Sequence, residues 1–72
     1  MLCAQGILRL MRTMLTVAPA GVVKVLSSDP AAEHDYPAWC RNTGHRFLGH
    51  RREPDARWGS LIVSFVQKRA DE

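Results

Sequence analysis

The hydrophobic pattern in the first half of the chain predicts a helix followed by a strand. Between residues 4 and 17, apolar side chains recur at helical spacing, and arginines and threonines take the opposite side. Pro19 ends this helix, because proline cannot continue it. The short β-branched run at residues 22–26 then predicts a largely buried strand. The apolar stripe of the helix consists of Ile7, Leu10, Met11, Met14 and Leu15.

A second helix is predicted between Asp29 and Gly44. The side chain of Asp29 can accept hydrogen bonds from free backbone N–H groups, and Pro30 suits the first helical position. Pro37 must interrupt or restart the helix, and Asp35 is placed to cap the second piece. Gly44 closes the helix, since glycine adopts the left-handed conformation that ends many helices.

Two strands and a polar connection complete the pattern. The segment "HRFLGH" predicts a strand, "RREPDAR" a hairpin connection, and "WGSLIVSFVQK" the last strand. Residues on a strand alternate between two faces. The two faces of the last strand consist of Leu61, Val63 and Phe65 on one side and of Ile62, Ser64 and Val66 on the other.

The order helix, strand, helix, strand, strand predicts an α/β fold, a two-layer α+β sandwich with both helices on one face of a small mixed sheet. Residues 1–72 form a single domain. A helix leading into a buried strand is usually the second half of a βαβ crossover, yet no strand precedes Cys3. The sheet is therefore expected to lack its first strand and to expose an edge beside residues 22–26. Such an edge invites pairing with another chain, so we expect marginal stability or self-association.

Size and charge narrow the classes of function. A chain of 72 residues buries only about 60% of its unfolded surface, which leaves no room for a deep substrate cavity. The net charge of +3 is too small to indicate direct nucleic-acid binding, and no aromatic platform alternates with the cations. The positive charge is local, however. One cluster forms either a solvated hairpin rim or a docking patch for an acidic partner protein: Arg41, Arg46, Arg51, Arg52 and Arg57.

Cysteine usage and hydropathy indicate a reduced, cytoplasmic protein. Two cysteines, Cys3 and Cys40, are too few for a disulfide framework. The apolar start of the chain is broken by arginine, unlike a signal peptide, and no segment is long enough to span a bilayer. Cys40, beside Trp39, is expected to be a buried core thiol. The alternatives are a second sulfur site or a resolving thiol for Cys3.

The histidines do not indicate a metal site. Cys40, His45 and His50 follow the spacing C-x4-H-x4-H, which is not a recognised ligand pattern. The two histidines would also point to opposite faces of one strand. We therefore expect no metal, and we expect His45 to begin a strand and to bond to backbone.

Cys3 is the candidate reactive residue. A cysteine at a helix N-terminus meets unpaired N–H groups and the positive end of the helix dipole, and both favour the thiolate over the thiol. Arg9 and Arg12 add nearby positive charge if the helix begins near Ala4. The alternative is an incidental thiol at a chain terminus.

These residues resemble a known family. The segment "SSDPAAEHDYPAWCRNTGHRFL" is similar to the block "DDPA…D(I/F)PxWxxxTGHxL" of the TusA (SirA-like) sulfur carriers, which are small βαβαββ sandwiches. In the same alignment Cys3 falls on the cysteine of the family's Cys-Pro-x-Pro motif, and Pro19 falls on the proline of its helix-to-strand turn. The block positions that match are Asp29, Pro30, Asp35, Pro37, Trp39, Gly44 and His45.

The motif itself departs from the family pattern. In the family, the prolines fix the helix start and leave the cysteine exposed there. Here the motif is Cys3-Ala4-Gln5-Gly6, so both prolines are absent, and the family's first strand is absent as well. Ala4 and Gln5 favour extension of the helix back through Cys3, whereas Gly6 loosens the first turn. The chain is accordingly a paralogue that lost activity, a fragment, or a protein whose true start lies upstream.

The resemblance implies a sulfur carrier. If it is active, the protein is a sulfurtransferase whose Cys3 accepts a persulfide sulfur from a donor protein and passes it to an acceptor protein, without a metal or an organic cofactor. The first alternative is a non-catalytic binding or regulatory module on the same fold that has lost sulfur transfer. The second is a small RNA-binding protein.

Overall fold

Two helices pack on one face of a three-stranded sheet. The computed structural model describes the backbone of residues 2–71 and the side chains of residues 6–71. Within that part of the chain the strand order is β1-β3-β2, so β3 is central. In chain order the elements are α1 (Leu2–Met14), β1 (Val22–Ser27), α2 (Ala32–Thr43), β2 (Arg46–Asp55) and β3 (Gly59–Gln67).

The predicted fold class, a two-layer α+β sandwich, is confirmed, but the sheet is antiparallel and not mixed. Both β1 and β2 pair with β3, and both pairings are antiparallel. A mixed sheet needs a parallel pair, which arises from a crossover between two strands through a helix. Among the residues that the structure describes, no strand lies on the outer side of β1. The expected open edge is therefore present, and the self-association expected from it stays a prediction.

The alternation predicted for the last strand is confirmed and determines where the core lies. Ile62 and Val66 of β3 belong to the buried apolar cluster beneath the helices. Val63 lies on the opposite face and is nevertheless fully buried, because it is flanked in register by Leu26 and Arg51. The helices contribute the rest of the cluster: Leu10, Met14, Ala32, Tyr36 and Cys40.

The first helix ends at Met14, three residues before the predicted end at residue 17. The next turn tightens, with the N–H of Val17 bonded to the carbonyl of Met14. The ammonium of Lys68 then donates to the carbonyl of Val17 at 2.8 Å. Lys68 is only 8% exposed, so a cation is buried at the negative end of the helix, where it supplies a donor to the free carbonyl.

The start of the second helix differs from the prediction. Asp29 is not its N-cap, because the helix begins at Ala32. The carboxylate of Asp29 instead accepts from the N–H of Ala31 at 3.0 Å, which stabilises the turn before the helix. The predicted end is confirmed: Gly44 has φ 83 and its N–H bonds to the carbonyl of Cys40.

Pro37 does not interrupt the second helix, so the predicted restart with Asp35 as a cap is wrong. The helix is continuous from Ala32 to Thr43 with Pro37 inside it. Pro37 has no N–H, so the ladder loses one bond to the residue four positions earlier. Burial of Tyr36 and Cys40 on either side of the proline holds this segment against the sheet.

The hairpin is longer than predicted. Strand β2 continues through the polar segment to Asp55, and the connection is only three residues, 56–58. The carboxylate of Asp55 accepts from the N–H groups of Arg57 and Trp58 and so stabilises the turn. Trp58, predicted to begin the last strand, lies in this turn and is 59% exposed. The polar residues of β2 adopt a strand because they pair with β3, whose apolar residues are anchored in the core.

An ion pair joins the second helix to the edge strand β2. Arg52 donates from Nε and Nη2 to the two carboxylate oxygens of Glu33 at 3.0 and 3.1 Å. The Nε2 atom of His50 lies 3.5 Å from the same carboxylate. The hydrogen bond from Arg52 holds the pKa of Glu33 below its ordinary value.

We predict that replacement of buried Leu10 destabilises the protein far more than replacement of neighbouring Leu15. Leu10 is 2% exposed and Leu15 is 78% exposed. Leu10→Ala removes packed methyl groups and leaves a cavity, so it should lower the free energy of unfolding by about 2–5 kcal/mol. Leu15→Ala should change it by about 0.5 kcal/mol or less. Urea denaturation followed by circular dichroism checks both values, and equal effects would contradict the observed placement of α1.

We predict that the contribution of Glu33 to stability disappears in acid. A carboxylate whose pKa is lowered on folding stabilises the folded state above its ordinary pKa of 4.5, and this contribution is lost as the pH falls through the lowered value. Glu33→Gln should therefore lower the melting temperature at neutral pH, and the gap to the unmodified protein should close below pH 4.5. Glu53→Gln is the control, since Glu53 forms its ion pair with Arg51 of its own strand. A gap that persisted unchanged in acid would exclude this role for Glu33.

Candidate functional site

The backbone of Cys3 lies in the first turn of α1, which begins at Leu2. The side chain of Cys3 lies outside the described residues. The first four N–H groups of a helix have no partner within it, and the helix dipole is positive at this end. The helix starts before Cys3 and not after it, which agrees with the expectation that Ala4 and Gln5 favour its extension.

A groove of about 310 Å³ runs between α1 and the open edge strand β1. Gly6, Leu10 and Tyr36 form its floor near the start of the helix, and the exposed Arg9 and Lys24 flank it. Among the described side chains, Gly6 is the lining residue nearest to Cys3 in sequence, and Arg9 and Lys24 give the groove positive charge. The sequence pattern predicts Arg9 near Cys3 but gives no indication that Tyr36 lies there.

Tyr36 is the largest of the fully buried side chains among the described residues, and it reaches the backbone of α1 at Gly6. A Cβ atom built on Gly6 would lie 2.5 Å from the Tyr36 hydroxyl oxygen. The signal that could have indicated this contact is the glycine itself, because a glycine among good helix formers commonly marks a close approach. Nothing in the sequence indicates which side chain makes that approach.

Cys40 is a core thiol, as predicted. It is 2% exposed and free, and it packs with Leu10, Tyr36 and Val66 in the buried cluster. Burial raises the pKa of the Cys40 thiol, because a thiolate is disfavoured in apolar surroundings. Its burial and its raised pKa are typical of a structural cysteine.

The matching block residues at the end of α2 form a connected structure. The ring of His45 stacks on Trp39 with centroids 5.2 Å apart. The Nδ1 atom of His45 accepts from the backbone N–H of Arg69, so the predicted bond to backbone is confirmed, although β2 begins one residue later. The guanidinium of Arg69 donates to the carbonyl of Thr43 at 3.0 Å. These contacts end the helix and fix the chain after β3 against it.

The five arginines of the predicted patch do not share one surface. Arg52 points toward the helices and pairs with Glu33, whereas its neighbour Arg51 lies over the ring of Phe65 on the uncovered face of the sheet. Arg46 shares the uncovered face with Arg51, because Phe47 next to it packs into the core. Two further positions complete the set: Arg41 in the last turn of α2, and Arg57 over the ring of Trp58 in the hairpin turn.

The described residues contain neither a cluster of metal-binding side chains nor a membrane-spanning helix. Within residues 6–71, no three histidine, cysteine or acidic side chains come close enough together to hold a metal ion. In the described part of the chain, neither helix has the length and apolar character that crossing a bilayer requires.

Comparison with known proteins identifies the family. The family model described as Sulfurtransferase TusA matches residues 1–64. The chain is similar to the Sulfur carrier protein TusA of Pseudomonas entomophila (strain L48), with 29% identity over 69 residues that cover 96% of this chain and 80% of that protein. It is also similar to the Sulfur carrier protein TusA of Pseudomonas putida (strain GB-1), with 28% identity over 96% of this chain and 80% of that protein. No solved structure gives a significant match. The fold, the position of Cys3 at a helix start and the match over residues 1–64 together show that the chain belongs to the TusA family of sulfurtransferases.

Proposed function

We propose that the protein is a sulfur carrier in a protein-to-protein relay in the cytoplasm, and that Cys3 is the residue that carries the sulfur. The observation that supports this most directly is the family match over residues 1–64 together with the place of Cys3 in the first turn of α1. The similar proteins of Pseudomonas entomophila and Pseudomonas putida are themselves named as sulfur carriers. Partner proteins, one donor and one acceptor, follow from the relay.

The chemistry needs a thiolate at Cys3. Free N–H groups and the helix dipole at the start of α1 favour the charged form of a cysteine there. The exposed cations Arg9 and Arg12 lie on the same helix, and Arg9 flanks the groove that Gly6 helps to line. The opposite holds for Cys40, whose pKa is raised by burial, so Cys3 is the better nucleophile of the two.

The transfer step is a displacement at sulfur. The Cys3 thiolate attacks the outer sulfur of a donor persulfide, a new S–S bond forms, and the donor S–S bond breaks. The donor leaves as a thiolate and the proton stays on the terminal sulfur or passes to solvent. The same exchange with an acceptor thiolate releases the sulfur from Cys3, so a full cycle needs no external oxidant, reductant, metal or organic cofactor.

Docking of the partners is proposed to use the arginines on the helix side of the sheet. Cys3 belongs to α1, so a partner that reaches it approaches the helix layer. Arg41 lies on α2 in that layer, and Arg52 faces it from β2. Arg46 and Arg51 lie on the opposite face of the sheet, where a partner bound over α1 does not contact them.

A second candidate function is favoured by one observation. Ala4 and Gly6 occupy the positions at which the family motif has prolines. A protein that kept the fold and lost the fixed helix start would bind its partners without carrying sulfur. This second candidate is a non-catalytic binding or regulatory module.

We predict that a persulfide donor adds one sulfur atom to Cys3. The reduced protein is incubated with glutathione persulfide and its intact mass is measured, with Cys3→Ser and Cys40→Ser as matched variants. The unmodified protein and Cys40→Ser should each gain the mass of one sulfur atom, whereas Cys3→Ser should gain none. No gain, or a gain that survives Cys3→Ser, would contradict the carrier function. With partner binding intact, the first of these outcomes would favour the binding module.

We predict that charge reversal in the helix layer slows loading from a protein donor. Arg41→Glu should lower the rate at which a donor protein in its persulfide form loads Cys3, because it weakens docking. Arg46→Glu is the matched control, since Arg46 is also an exposed arginine but lies on the opposite face of the sheet. Loading from glutathione persulfide should be the same for both variants. Equal loading rates from the donor protein would exclude docking through the helix layer.

A further inference from the structure

The helix that carries Cys3 contains a glycine, Gly6, at an interior position where no turn or helix end requires one. Gly6 lies inside α1, between Leu2 and Met14. Glycine in a helix interior is destabilising relative to alanine, since it loses more backbone freedom on folding and buries no side chain. In the structure this glycine leaves room for one group, the hydroxyl of Tyr36, which lies 2.5 Å from the position of a Cβ atom. A non-bonded Cβ does not approach another heavy atom so closely, so a larger residue at position 6 requires the Tyr36 hydroxyl or the helix backbone to shift.

The obstacle is the hydroxyl group and not the ring. The Cζ atom of Tyr36 lies 3.6 Å from the Cβ position on Gly6 and the Cε1 atom lies 3.9 Å from it. Both distances are ordinary van der Waals contacts. A phenylalanine at position 36 would therefore leave enough room for a side chain at position 6. Tyrosine does not, because its ring is 1% exposed and is held among Leu10, Ile62 and Val66.

Two departures from the family pattern meet at this contact. The motif that Cys3 begins has proline at position 6, and the block around Asp35 has isoleucine or phenylalanine at position 36. Relative to the pattern that it resembles, this chain lacks a ring at position 6 and carries a hydroxyl at position 36. The hydroxyl lies where a Cβ atom on residue 6 would be. The two changes are complementary in volume.

We propose that Tyr36 is a positioning residue for Cys3, and that its hydroxyl, packed against α1 at Gly6, holds the first turn of the helix in place of the absent proline. This rests on the proposed function, because it concerns the residue that would carry the sulfur. Gly6 lies three residues after Cys3, which is about 4.5 Å along the helix axis. In an α-helix the N–H of residue 7 bonds to the carbonyl of residue 3, so Cys3 and Gly6 share one turn. A group that fixes the backbone at Gly6 fixes the backbone of Cys3.

The proposal is tested with four proteins: the unmodified chain, Gly6→Ala, Tyr36→Phe and the double variant. Gly6→Ala should lower the melting temperature, although alanine is the better helix former, because its Cβ meets the Tyr36 hydroxyl. Tyr36→Phe in the same chain should restore it. If Gly6→Ala alone does not fold, a folded double variant still supports the contact, and an unfolded one overturns it. Gly21→Ala is the matched control, since its Cβ would meet Val17 and Ala18 and is not relieved by Tyr36→Phe.

Positioning is distinguished from a purely structural role by the reactivity of Cys3. The rate of alkylation by iodoacetamide is measured against pH and assigned by mass spectrometry, since trypsin places Cys3 and Cys40 in different peptides, residues 1–9 and 25–41. Gly6→Ala should shift the Cys3 profile to higher pH and lower its rate at neutral pH by roughly two- to fivefold, the range of helix-terminus effects. The double variant should recover both. The proposal would be overturned if Gly6→Ala lowered the melting temperature and Tyr36→Phe restored it, while the pH dependence of Cys3 alkylation stayed the same in all four proteins. Alkylation needs no sulfur donor, so failure of sulfur loading alone would contradict only the carrier function.

Discussion

The burial of Tyr36 between α1 and the sheet is the packing interaction on which the candidate site depends. The ring lies in the apolar cluster of Leu10 and Val66, and its hydroxyl end meets α1 at Gly6. A chain of 72 residues has little core to spare, so a side chain of this volume contributes a large share of the buried surface. The same residue therefore stabilises the domain and fixes how the helix that bears Cys3 approaches the sheet.

The residues that maintain the fold at the end of α2 are different from the residues on which the chemistry at Cys3 depends. The block residues Trp39, Gly44 and His45 end α2, turn the chain into β2 and hold Arg69 after β3. None of these contacts involves the first turn of α1. The fold can therefore persist in a chain whose motif has changed, and the presence of the block by itself does not indicate sulfur transfer. The chemistry depends on Cys3 and on whatever fixes its turn.

Much of the fold could be predicted from the sequence because the strongest signals are local. The alternation along β3 predicted that Ile62 and Val63 lie on opposite faces, and Gly44 predicted the end of α2. The errors fall where tertiary packing overrides a local preference. Pro37 remains inside α2 because Tyr36 and Cys40 anchor the helix on both sides of it, and the polar segment ending at Asp55 is a strand because its partner β3 is already fixed.

The candidate site was predictable only in part, for a related reason. Cys3 follows from a motif position, and Cys40 follows from its place beside Trp39 in an apolar helix face. The role of Tyr36 could not be predicted in this way. Its hydroxyl reaches Gly6 only because of how α1 and α2, which are separate in sequence, pack on the sheet. Lys68 is a similar case: its ammonium caps the chain after α1 at Val17, a contact between residues 51 positions apart. A motif specifies which residue reacts, whereas the packing of the rest of the chain determines how firmly that residue is held. In this protein the prolines that would hold it locally are absent, so the support for Cys3 comes from α2 through Tyr36.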